Sequence, residues 1–170
     1  MKKVLPLIFM LAATPCLAGE EHHEHMPAVK TPPSFDVLKA LVGEWQQVGM
    51  DGKGTVVSYE LVAGGSALVE RMDPGTDHLM VSVYHPDGAK VMMTHFCAEG
   101  NQPRMRGDGD AKSMSFTMID ITNLPKPTDG HMEGLTLTFK DKDHLVQEWR
   151  HKTGDKVEVF KFELERKKAS

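Results

Sequence analysis

The stretch Phe35-Asp36-Val37-Leu38-Lys39-Ala40-Leu41-Val42-Gly43-Glu44-Trp45 decides the fold. Phe35, Leu38 and Leu41 recur at helical spacing, Ser34 is placed to cap the helix, and Gly43 ends it. From Trp45 onward the chain changes character. It breaks into about ten short strand-like runs separated by turn residues. The runs are Trp45–Met50, Thr55–Val62, Ala67–Met72, His78–His85, Lys90–Ala98, Gln102–Arg106, Ser113–Ile121, Met132–Lys140, His144–His151 and Lys156–Arg166. Each break carries Gly, Pro, Asp or Asn, residues that supply positive φ or fix a bend. The longest break, Asn123 to Gly130, holds Pro125 and Pro127.

Several runs alternate. In Leu135-Thr136-Leu137-Thr138-Phe139 the apolar side chains share one parity, and Phe160, Phe162 and Leu164 do the same against Val159, Lys161 and Glu163. One face is therefore buried and one wet. Short connections argue antiparallel pairing, because parallel strands need long crossovers. An open sheet of this size would leave two sticky edges, and closure removes them. The sequence predicts an all-β domain: an antiparallel meander barrel of about ten strands behind a short N-terminal helix, spanning 34–168. Such a barrel can hold one small ligand inside. The 12 methionines suit that interior, since thioethers fill irregular cavities and adaptable surfaces.

Outward from the barrel, residues 19–33 form a polar tail, Gly-Glu-Glu-His-His-Glu-His-Met followed by three prolines, and read as a flexible linker. Residues 1–18 read as a secretory signal. Lys2 and Lys3 form a positive n-region, Val4 to Ala13 is apolar but too short to span a bilayer, and Cys16 and Ala18 are small residues suited to cleavage after Ala18. The expected compartment is periplasmic or extracellular. Processing would leave Cys97 as the single thiol, so no internal disulfide is available. Losing Lys2 and Lys3 from 20 basic residues set against 24 acidic ones shifts the net charge from −4 to −6. That balance disfavours nucleic acid and anionic membranes as partners. No later segment is long and apolar enough to span a membrane.

The Phe35-Asp36-Val37-Leu38 to Gly43-Glu44-Trp45 stretch resembles the entry of calycin-type barrels, where a short helix precedes a Gly-x-Trp strand. Tyr84-His85-Pro86-Asp87-Gly88 and Thr94-His95-Phe96-Cys97-Ala98-Glu99-Gly100-Asn101-Gln102-Pro103-Arg104-Met105 resemble a family of small exported bacterial proteins. That family has a lipocalin-like barrel and no established function. The wider group, which includes lipocalins, fatty-acid-binding proteins and nitrobindins, implies binding of small hydrophobic molecules. In its nitrobindin-like branch it implies haem held by a histidine near the C-terminal end. The positional candidates here are His144 and His151, but their flanking sequence does not match that branch.

Candidate residues follow from this container. Tyr84, His95, Asn101, Arg104 and Trp149 are the candidate ligand-binding set. The first three offer polar handles in apolar surroundings, and Arg104 has the fork that clamps a carboxylate. Arg104 has a structural alternative, stacking on Trp45 or Trp149 to close the barrel. His22, His23 and His25, among Glu20, Glu21 and Glu24, form a candidate site for a divalent metal. Met93, His95 and Cys97 share a strand parity and have soft donors, although about 7 Å between same-face neighbours hinders one strand from ligating one ion. Glu70, Asp120 and Glu148 are carboxylates within strand runs. No phosphate loop, Cys-x-x-Cys or Gly-x-Ser-x-Gly occurs. The expectation is a binding protein for a small, largely apolar molecule. Metal binding, by the tail or an interior His/Met/Cys site, and an enzyme using His95 as acid or base stand as alternatives.

Overall fold

The computed structural model describes residues 29–168. The expected signal segment and the metal candidates His22, His23 and His25 lie outside the described residues. One helix, α1 (Pro33–Lys39), precedes ten strands: β1 (Gly43–Gln47), β2 (Val56–Val62), β3 (Ala67–Met72), β4 (Met80–Asp87), β5 (Lys90–Phe96), β6 (Gln102–Gly109), β7 (Ser113–Thr122), β8 (His131–Phe139), β9 (His144–Thr153) and β10 (Lys156–Arg166). Every strand pairs antiparallel with its neighbours in sequence. The pairing of β1 with β10, Trp45 opposite Arg166 and Gln47 opposite Leu164, closes the barrel.

Up-and-down order assigns each connection to an end. The β4–β5 turn lies at the end covered by α1, where the Ser34 hydroxyl donates to the carbonyl of Ala89 at 2.7 Å. Ser34 is therefore not the helix cap expected from the sequence. Pro32 occupies the cap position and makes no side-chain cap, and Pro33 starts the helix because its ring already holds φ in the helical range. Phe35, Leu38 and Leu41 turn into the core as their spacing predicts.

Where α1 hands over to β1, Trp45 donates its indole N–H to the carbonyl of Leu41 at 2.8 Å. The Arg166 guanidinium stacks 4.2 Å from the Trp45 ring and donates to the carbonyls of Val42 and Ala40, each at 2.7 Å. The arginine-on-tryptophan closure considered for Arg104 thus belongs to Arg166, which the β1–β10 register sets directly beside Trp45.

The β1–β2, β3–β4, β5–β6, β7–β8 and β9–β10 connections lie at the opposite end, the mouth. Three hydrogen bonds tie its loops together. Asn101 Nδ2 donates to the carbonyl of Gly130 at 2.8 Å, His151 Nε2 meets Glu99 Oε1 at 3.0 Å, and the amide of Gly154 donates to the carbonyl of Thr128 at 3.0 Å.

Inside, alternation settles which face each strand presents. On β5, Val91, Met93 and His95 are buried while Phe96 is exposed, so the odd parity faces inward. Leu68, Glu70 and Met72 on β3 and Leu145, Gln147 and Trp149 on β9 face the same interior. Phe160, Phe162 and Leu164 share the inward parity of β10, but burial fades along it. Leu164 is buried, Phe162 half-buried, and Phe160 is 43% exposed at the mouth.

Candidate functional site

Register lays a row of polar side chains across four strands. Tyr59 on β2 stands opposite Glu70 on β3, Glu70 opposite Ser82 on β4, and Ser82 opposite His95 on β5. All four are buried. Neutral donors, and not a cation, satisfy Glu70. Its Oε1 accepts from the Tyr59 hydroxyl at 2.9 Å and from Gln147 Nε2 at 2.6 Å, and its Oε2 accepts from the Tyr84 hydroxyl at 2.7 Å. Gln147 also donates to the Tyr59 oxygen at 2.5 Å and accepts the Trp149 indole N–H at 2.9 Å. Burial, reinforced by the charge of Glu70, pushes both phenols far above their ordinary pKa, so Tyr59 and Tyr84 remain donors. A buried carboxylate met by three donors can stay buried without an ion pair.

The row ends on His95. Its Nδ1 lies 3.0 Å from the Ser82 hydroxyl, its ring is tilted against Trp149 with centroids 4.7 Å apart, and it is 2% exposed. Its Nε2 is buried and meets no hydrogen-bond partner. Burial alone depresses the imidazole pKa to about 4, so the ring is neutral at pH 7.

Beside this ring lies a cavity of about 170 Å³ lined by Met72, Met80, His95, Met132, Trp149, Phe160 and Phe162. Met72 and Met80 are direct cross-strand partners at the mouth ends of β3 and β4. Phe160 and Phe162 come from β10 and Met132 from the start of β8. His95 is the one lining side chain with an unused polar atom. A cleft of about 380 Å³ elsewhere, on the outer surface of β7, β8 and β9, is bordered by Ser115, Thr117, Glu133 and Arg150. There Arg150 already donates to Glu133 at 2.6 Å, and the cleft holds no buried group left unpaired.

The candidates read from the sequence fall into different places. His95 and Trp149 line the cavity. Tyr84 is interior, but its hydroxyl is committed to Glu70 and it does not border the cavity. Asn101 is buried at the mouth, where it joins two loops. Arg104 is exposed on the outer face of β6 and holds Asp120 of β7 through two guanidinium contacts. Even-numbered residues of β6 face solvent there, which removes Arg104 from the interior. Asp120 is exposed with it, and Glu148 has the outward parity of β9.

His144 is exposed and paired with Asp141, and His151 is held by Glu99, so neither C-terminal histidine borders the cavity. A tetrapyrrole also needs more room than this cavity has, and the residues present do not fit haem. Cys97 lies past the end of β5, half-buried, with its thiol 4.0 Å from Glu99 and raised in pKa by burial. It does not join Met93 and His95 at one point. Among the described residues, no three His, Cys, Asp or Glu side chains converge as a metal site.

Ser82, Gln147 and the three cavity methionines were not singled out from the sequence. The signal for Glu70 was present, as a charged residue on the apolar parity of Leu68-Val69-Glu70-Arg71-Met72. The link from Gln147 to Glu70 spans 77 positions and leaves no local trace.

No protein-family model matches the chain, and no curated protein matches it. The structure is similar to the crystal structure of Rv2717c from M. tuberculosis, with a TM-score of 0.56 and 13% identity. The match covers 82% of this chain and 100% of that one. The likeness is one of fold. At that identity the shared barrel carries no residue roles from one chain to the other.

Proposed function

We propose that this chain is an exported calycin-like binding protein that holds one small, largely apolar molecule at the mouth of its barrel. One observation carries the reading: an apolar cavity beside a neutral, buried histidine whose Nε2 has no partner. Ordinary ligand pockets run roughly 300–1,000 Å³, whereas an apolar cavity of about 150 Å³ accepts benzene. The occupant is therefore of benzene to indole size. Apolar burial supplies its affinity, and the methionine side chains adapt to its outline. The n-region and apolar stretch of residues 1–18 support export to the periplasm or medium.

Native mass spectrometry of the protein purified from its own compartment tests this. Extra mass of about a hundred daltons, lost on denaturation and absent in Met80→Trp, is the expected result for an occupant of this size. A bare mass, together with no binding of toluene or indole, would overturn it.

A second reading is favoured by the same lining. Three thioethers and one imidazole nitrogen form a donor set for Cu(I), and the tail adds His22, His23 and His25. In this reading the protein captures a soft metal ion. Stoichiometric Ag(I) binding that survives deletion of 19–26 but fails in His95→Leu would place the ion in the barrel. Loss on tail deletion alone would place it on the tail.

A further inference from the structure

We infer that two copies of this chain pair through β10, edge to edge and antiparallel, about a two-fold axis at Val159. The inference is independent of what the cavity holds.

Closure covers only part of β10. Its cross-strand pairs with β1 end at Gln47 opposite Leu164, and the last contact is the Val48 N–H donating to the carbonyl of Glu163 at 2.9 Å. β1 then leaves through Gly49 and turns at Lys53, whose N–H donates to the carbonyl of Met50 at 2.8 Å. β10 runs on to Lys156 with β9 on one side only. Two bonds fix how its backbone points. The Arg166 N–H donates to the carbonyl of Asp143, next to β9, so even-numbered residues turn their backbone groups toward β9. The Glu163 carbonyl meets Val48, so odd-numbered residues turn theirs to the other side. Val157, Val159 and Lys161 therefore present N–H and C=O groups along an open edge. Among the described residues no hydrogen bond reaches them.

Side chains do not shield this edge. Lys156 to Lys161 are exposed on both parities, and Val159, at 57%, has Val157 and Phe160 exposed beside it. The stretch carries no proline and no bulge, the usual blocks to strand addition. Its two lysines are each paired with a glutamate of the same strand, Lys156 with Glu158 and Lys161 with Glu163, so no net charge repels an identical strand.

The edge is its own complement. Antiparallel strands related by a two-fold axis present the same groups to each other, and each hydrogen-bonded facing pair exchanges both bonds. With the axis at Val159, Val159 faces Val159 and Val157 faces Lys161 of the second copy. Every open group on both edges is then used. Moving the axis one residue toward the hairpin tip sets Glu158 against Glu158. Moving it the other way sets Val157 against Glu163, whose carbonyl Val48 already holds. The Val159 register brings no like charges face to face between 157 and 161. Valine meets valine, Val157 lies against the aliphatic stem of Lys161, and Glu158 faces Phe160.

Sedimentation equilibrium of the full mature chain tests this, and the expected mass is that of two chains, falling to one on dilution. Val159→Pro removes an N–H that the chain's own sheet does not use, so it should keep the thermal midpoint and weaken association by about tenfold or more. Val159→Lys sets two cations face to face on the axis and should do the same. In a Cys97→Ala chain, Val159→Cys should form a disulfide between copies under mild oxidation. Facing Cα atoms of a hydrogen-bonded pair lie about 5.5 Å apart, a span that a disulfide fits. Val157→Cys faces Lys161 and should link far more slowly.

A single-chain mass at every concentration, with Val159→Cys unlinked, would overturn the inference. So would a dimer that both Val159→Pro and Val159→Lys leave intact, because its interface lies elsewhere. Slow amide exchange at Val157, Val159 and Lys161 in a single chain, made fast by deleting 19–26, would also overturn it and give the edge to the chain's own N-terminal segment.

Discussion

Single positions show how closely the interior is filled. Gly107 on β6 stands opposite Phe116 on β7, and a Cβ there would lie 2.2 Å from a Phe116 ring carbon. Glycine is required because the aromatic ring covers the space a side chain would take. Gly107→Ala should destabilise the fold by about 1–3 kcal/mol, the usual range for overpacking, read as a lower denaturant midpoint. An unchanged midpoint would mean that Phe116 moves aside freely.

Glu70 is the second such position. Glu70→Ala removes the acceptor of two buried hydroxyls and an amide, each unsatisfied group costing about 1–3 kcal/mol. Glu70→Gln keeps one acceptor oxygen and should cost less. A Glu70→Ala protein as stable as the natural one would show that water replaces the carboxylate.

At the scale of elements, the ends of the barrel are held by different means. The helix end is clamped by Arg166, which joins β10 to the carbonyls of Ala40 and Val42 and covers Trp45. Arg166→Lys keeps the charge but cannot reach both carbonyls and stack at once. It should lower stability by about 1–3 kcal/mol and speed amide exchange around Leu41, as expected for charge-assisted hydrogen bonds. Unchanged exchange would assign the closure to Trp45 alone.

At the mouth, Gly130 sits where a Cβ would come within 2.6 Å of Glu99 Oε1 and 3.0 Å of His151 Nε2. The tie between the β5–β6 loop and β9 thus depends on a glycine in a third connection. The sequence located these elements because Gly, Pro and Asp breaks are local signals. It mistook the start of α1, since Ser34 is a good cap by type and its hydroxyl goes to Ala89, 55 positions away. It also stopped several strands a few residues early. Pairing carries β6 on to Gly109 and β9 on to Thr153 after the local alternation has faded.

For the molecule as a whole, the polar row links interior chemistry to stability against pH. His95 is pulled from 6.5 to about 4 by burial. Between those values the unfolded chain binds a proton at His95 that the folded chain does not, so stability rises with pH across that window. Equivalently, acidification from pH 6.5 to about 4 should remove about 3 kcal/mol through this one group, since each pH unit between the two values is worth about 1.4 kcal/mol. Urea unfolding across pH 4–7 should show a steeper slope in the natural chain than in His95→Leu. Equal slopes would mean that the imidazole takes up its proton inside the fold.

By itself, the sequence determined the closed meander of about ten antiparallel strands and the short helix that leads into it, because period-two alternation and turn residues act over a few positions. It also drew attention to His95 and Trp149 as chemically capable side chains. Tertiary structure alone decided their use. Which parity of β5 faces inward depends on the strands beside it, since both parities of Val91 to Ala98 offer apolar residues. That His95 ends a row beginning at Tyr59, that Gln147 meets Glu70 across the barrel, and that Arg104 faces solvent all follow from register. Register is set by closure of the whole sheet, a long-range condition that no local stretch of chain encodes.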